Sequence, residues 1–127
     1  MEQPSFSIRI AIDEKNPSRY EPWIREVESY ILRNLSNSQL IVPNIAKAFS
    51  LSERQFHRRI KKILGITPNL FLRKIKMESA KQLLEQGQCS TVTEVAQAVG
   101  YNQADYFSRL YTQWHGKRPI EYLRASN

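Results

Sequence analysis

Residues 42–68 read VPNIAKAFSLSERQFHRRIKKILGITP. From Val42 to about Phe49 the apolar spacing puts Ile45, Ala46 and Phe49 on one face of a short helix. A break follows at Ser50, and Ser52 opens a second helix. Ser52-x-x-Gln55 has the form of a capping box, in which side chains satisfy the free N–H groups of the first turn. Phe56, Ile60 and Ile63 or Leu64 make its inward stripe, and Gly65 ends it by taking a positive φ. Two helices joined by a turn this short form a helix-turn-helix.

The pattern occurs twice. VPNIAKAFS at 42–50 aligns with VTEVAQAVG at 92–100, pairing Ile45 with Val95, Ala46 with Ala96 and Phe49 with Val99. Beyond the turn the offset grows by one residue, and Phe56, Arg58, Gly65, Pro68 and Arg73 meet Phe107, Arg109, Gly116, Pro119 and Arg124. The small Ala46 and Ala96 allow the second helix of each copy to approach the first. Gly100 supplies a turn residue tolerant of positive φ, with Ser50 in the equivalent place.

The flanks complete an all-α reading: two helix-turn-helix lobes joined by a long linker helix, about seven helices. Trp23, Ile24, Val27, Tyr30, Ile31 and Leu35 follow a helical period, with Pro22 at the first position. Thr67-Pro68 starts the linker helix, which runs to about Gln86, spans roughly 27 Å at 1.5 Å per residue, and carries apolar residues on two sides. Thr91-x-x-Glu94 reads as another capping box, and Asn102 as the cap of the helix bearing Phe107, Leu110, Tyr111 and Trp114. Pro119 opens a last helix through Arg124. Ahead of all this, Phe6, Ile8, Ile10 and Ile12 alternate as a strand would. The expected divisions are 1–19, a linker or remnant of a preceding domain; 20–67, the first lobe; 68–87, the linker helix; and 88–127, the second lobe.

The formal net charge is +7. All of that excess falls between Leu51 and Lys81, where nine Lys and Arg residues face only Glu53 and Glu78. A basic balance points to a polyanion, nucleic acid or an anionic membrane. With Phe56, Ile60 and Ile63 inward, Arg54, His57, Arg58 and Lys61 fall on the opposite face. Arginine can bridge guanine O6 and N7 in the major groove, while lysines such as Lys62 reach phosphates. The second copy offers Gln103, Ala104, Asp105, Ser108 and Arg109, a less basic set suited to base edges. His57 reads equally as a surface histidine or a contact. Asp105 reads as a helix cap, three residues after Asn102, as an acceptor for cytosine N4, or as a group that repels phosphate. Two such helices about 34 Å apart would enter successive major grooves. The expected partner is double-stranded DNA; the alternative is a protein-interaction or anionic-membrane-binding helical module.

AQAVGYNQADYFSRLYTQWHGKRPIEYLR at 96–124 and LSERQFHRRIKKILGITPNLFLRKIKMESAKQLL at 51–84 resemble the DNA-binding domain of AraC/XylS transcription regulators. The resemblance covers roughly residues 20–125. It implies base contacts from Arg54, His57 and Arg58, and from Ala104, Asp105, Ser108 and Arg109. It further implies RNA polymerase as a partner and a covalently linked sensing or receiver domain. The stretch SERQFHRRIKKILGITP is similar to output modules of hybrid two-component sensor kinases and response regulators. Departures from the family pattern are Tyr111-Thr112 for Phe-Lys, Arg118-Pro119 for Ser-Pro, and Lys76 for an arginine.

Other classes find little support. There is no Ser/His/Asp or Cys/His set and no glycine-rich phosphate loop, so no enzyme is expected. Cys89 is the single cysteine, and His57 and His115 are the only histidines. Neither a disulfide within the chain nor a metal site is expected, and no cofactor. Trp23 and Trp114 read as core and Cys89 as incidental. With no apolar signal segment, the expected setting is the cytoplasm.

Overall fold

Prolines, hydroxyls and glycines punctuate the chain where the sequence says they should. The computed structural model describes residues 22–125; the strand pattern at 6–12 lies outside the described residues. Seven helices form among them: α1 (Pro22–Arg33), α2 (Val42–Ala48), α3 (Glu53–Leu64), α4 (Pro68–Glu85), α5 (Val92–Ala98), α6 (Ala104–His115) and α7 (Pro119–Ala125).

Local chemistry explains their ends. Ser52 Oγ accepts from Gln55 N at 3.0 Å and Gln55 Oε1 accepts from Ser52 N at 2.9 Å, closing the capping box of α3. Thr67 Oγ1 accepts from Leu70 N at 3.2 Å ahead of Pro68. At α5 the box is split: Thr91 Oγ1 accepts from Glu94 N, but the Glu94 carboxylate reaches past Thr91 to Ser90 N at 2.7 Å. Asn102 does not cap α6. The one-residue insertion moves the start on by one, so extended Gln103 is the cap, without a side-chain hydrogen bond. Asp105 lies in the first turn of α6, where a carboxylate favours the positive end of the helix dipole. At α7 an ion pair replaces a hydroxyl cap: Arg118 Nε donates to Glu121 Oε2 at 2.9 Å. That bond holds the Glu121 carboxyl below its ordinary pKa.

Both turns close in the same way. Leu51 N and Ser50 N donate to Ala46 O and Lys47 O; Tyr101 N and Gly100 N donate to Ala96 O and Gln97 O. This is the Schellman pattern, which requires a left-handed residue after the helix. Gly100 supplies it at φ 88°, and Ser50 adopts it at φ 60° despite its Cβ. Ser50→Gly is therefore expected to stabilise the first copy by roughly 0.5–1 kcal/mol, less than the left-handed penalty because glycine is freer when unfolded. The urea midpoint of unfolding measures it.

The chain forms two compact units, one running to Asn34 and including Gln39–Ile75, the other comprising Leu35–Ser38 and the chain from Lys76 onward. Helix α4 contributes its first half to one and its second half to the other. In the first unit Ile24, Val27, Ile31, Leu40, Ile45, Ala46, Phe56, Ile60, Phe71 and Ile75 are buried. Trp23 meets Phe49 and Phe56 edge-on, at 6.1 and 5.8 Å between ring centroids. In the second unit Met77, Ala80, Leu84, Val95, Ala96, Val99, Phe107 and Tyr111 form one core, with Leu35, Trp114 and Tyr122 packed against it. Each fully buried side chain of this size contributes about 1.5–3 kcal/mol of transfer free energy. The Tyr111 hydroxyl donates to Tyr122 Oη at 2.9 Å, and burial together with that bond pushes the Tyr111 phenol well above its ordinary pKa.

Sequence period explains why α4 is apolar on more than one side: Phe71, Leu72 and Ile75 serve the first unit, Met77, Ala80 and Leu84 the second. Lys76, where the family pattern has an arginine, is only 8% exposed, and its Nζ lies 4.8 Å from the Tyr101 ring centroid. A cation over an aromatic face is attracted by the ring quadrupole.

Candidate nucleic-acid interface

In the first unit, α3 is the second helix of the helix-turn-helix. Its buried residues are Phe56 and Ile60. Every residue expected to contact a partner is exposed: Arg54, His57, Arg58, Lys61 and Lys62. Residues three, four and seven apart share a helix face, so Arg54, His57, Arg58 and Lys61 form one outward stripe. Lys62 borders it. Glu53 is the one acid on α3, and it sits in the first turn.

In the second unit, α6 buries Phe107 and Tyr111. Gln103, Asp105 and Arg109 are exposed, and Ala104 and Ser108 half-buried. The backbone at Ser108 is tied locally, since Thr112 Oγ1 donates to Ser108 O at 2.8 Å. Thr112 thus turns back on its own helix where the family pattern carries a lysine. Ser108 and Arg109 also border an open groove of about 520 Å³ with Thr112, Gln113, Arg118, Pro119 and Ile120.

Two exposed side chains on these helices escaped the sequence reading. Tyr106 is 44% exposed with its ring 6.0 Å from that of Tyr101. Arg59 lies over Trp23, its Cζ 4.1 Å from the ring centroid. The Arg59 contact could not be found from helical period, because its ring comes from another part of the chain.

Cys89 is half-buried, and burial, then the Glu94 carboxylate, raise its thiol pKa, which disfavours a reactive thiolate. His115 Nε2 stands 3.1 Å from Met77 O within the second unit. Among the described residues no group of three His, Cys, Asp or Glu could hold a metal ion, and no helix is long and apolar enough to cross a membrane.

A family model described as a helix-turn-helix domain matches residues 45–125, which takes in both copies. The chain belongs to the AraC-type helix-turn-helix family. The AraC-type assignment agrees with solved structures. The C-terminal domain of AraT, a response regulator from Geobacillus stearothermophilus, is 34% identical with a TM-score of 0.74, covering 84% of this chain and 88% of that one. An AraC-type regulator from Chromobacterium violaceum is 26% identical with a TM-score of 0.70, over 81% and 90%. The DNA-binding domain of AdpA, solved with a target DNA, is 28% identical with a TM-score of 0.71, over 80% and 89%. Among curated relatives, the HTH-type transcriptional activator RhaS of Escherichia coli O139:H28 (strain E24377A / ETEC) is 36% identical over 67 residues, 53% of this chain. The match spans 24% of the length of RhaS.

Proposed function

We propose that this chain is the sequence-specific DNA-binding domain of a transcription regulator, with α3 and α6 entering adjacent segments of the major groove. The observation that carries the reading is the exposed stripe Arg54, His57, Arg58 and Lys61 on the second helix of a duplicated helix-turn-helix. Arg54 and Arg58 read guanine edges through bidentate contacts, while Lys61 and Lys62 hold phosphates. Gln103, Ala104, Asp105, Ser108 and Arg109 read the second segment. The lobes are 20–67 and 88–127, the linker helix is 68–87, and 1–19 is a linker or the remnant of a preceding domain. The AdpA complex with DNA supports the partner, and the AraT response regulator supports the two-component setting. A cytoplasmic location and contact with RNA polymerase follow from this role.

Selection of bound sequences from random duplexes, followed by salt titration of the winner and a scrambled control, tests the proposal. Sequence preference together with a steep fall of affinity with salt is expected. Tight binding to anionic vesicles or a protein, with no duplex preference, would overturn it. In the same assay Lys62→Gln weakens all duplexes alike, and the slope of log affinity against log salt becomes shallower by about 0.9.

A further inference from the structure

Arg59 directly follows Arg58, so it lies about 100° round the helix from it at 3.6 residues per turn. That turns it off the outward stripe and onto the flank facing α1, three residues before Lys62. There its guanidinium covers the Trp23 ring at 4.1 Å. Trp23 is itself gripped edge-on by Phe49 and Phe56. The ring is thus a fixed platform, built from α1, the end of α2 and α3. A guanidinium stacked on a ring uses its flat face and leaves its N–H edge open. Among the described residues the Arg59 guanidinium makes no hydrogen bond or ion pair, and the residue is exposed. Stacking has already restricted a flexible side chain that still has every donor to offer.

We propose that Arg59 is a phosphate-contacting residue at the edge of the α3 interface, and that Trp23 is its positioning residue. The inference rests on the duplex-binding reading above and extends it to α1, outside the helix-turn-helix itself. The ligand is the phosphodiester backbone at the wall of the groove that α3 enters. Such a contact fixes the register of the helix and carries no sequence information. Arginine suits it because its planar fork can bond two phosphate oxygens while its face stays on the ring.

The test is fluorescence anisotropy of the 127-residue chain on its selected duplex and a scrambled duplex, across a salt series. Arg59→Gln weakens both duplexes by the same factor. The wild-type to variant affinity ratio then shrinks by about 3.5-fold between roughly 50 and 200 mM salt, as one lost counterion-releasing contact requires. Trp23→Leu keeps the charge but removes the platform, and lowers affinity for both duplexes about two- to fivefold, the worth of an exposed cation–π contact. Trp23→Phe, with a smaller face, falls between wild type and Trp23→Leu, and Arg59→Gln does less harm in the Trp23→Leu background than alone. A salt-independent ratio for Arg59→Gln would overturn the phosphate contact. Equal harm from Arg59→Gln in both backgrounds would overturn the positioning role. If wild type prefers its duplex and Arg58→Ala loses that preference while Arg59→Gln follows the wild-type curve, this inference alone fails. If wild type shows no salt-dependent duplex binding, the inference and the duplex reading fail together.

Discussion

Gly100→Ala lowers the stability of the second unit by about 1.5–4 kcal/mol, combining the net left-handed cost with overpacking. The backbone there has φ 88°, which a side chain with a Cβ adopts at a cost. More decisive is the space. A Cβ on Gly100 would stand 2.6 Å from the Leu35 carbonyl oxygen and 3.3 Å from Lys76 Nζ. The first contact is with backbone, so a rotamer change cannot relieve it. Urea unfolding, followed by the amide circular dichroism signal and by near-ultraviolet tyrosine and tryptophan bands, measures the loss. Gly65→Ala is the control: its φ is 78° but nothing lies within 4 Å of the added Cβ, so only the conformational part remains, about 0.5–1 kcal/mol after the freer unfolded glycine is counted. Equal losses at the two positions would show that the Leu35 contact does not matter.

Arg58→Ala reduces affinity for the selected duplex by about 1–3 kcal/mol, roughly ten- to a hundredfold, and relaxes preference at one base pair. Arg58 is exposed and its neighbours in the stripe are exposed, so folding should be unchanged. Arg58→Lys separates charge from geometry. It keeps a cation but loses the planar fork that bridges guanine O6 and N7. Binding to scrambled duplexes should therefore persist in Arg58→Lys, while the preference at that base pair is lost. A repeat of the sequence selection on each variant reads this directly. Unchanged preference in Arg58→Ala would place the base-reading face elsewhere on α3.

The helices were legible because their signals are local. Ser52 with Gln55, Thr67 with Pro68, and the glycines at 65 and 116 act within a few residues, and each does in the structure what its spacing implies. Asn102 misled for the same reason: a good cap residue near the right place was outweighed by an insertion whose effect depends on how α6 packs. The exposure of Arg58 and Arg109 was legible too, because Phe56 and Phe107 each fix the inward side two residues earlier. The equivalence of Ser50 and Gly100 could be read as an alignment, yet their shared left-handed φ could not, since serine seldom adopts it.

Residue order by itself determined the helical class, the duplication and the outward stripes, since all three follow from period and capping within a turn or two. Tertiary structure alone decided the rest. It seated Leu35–Ser38 with the second unit, which brings a carbonyl against Gly100 and makes that glycine costly to replace, while Ser50 stands at the equivalent place in the first copy. It also set Trp23 beneath Arg59. Both contacts join residues more than thirty positions apart, and no short-range pattern records a meeting that only chain packing brings about.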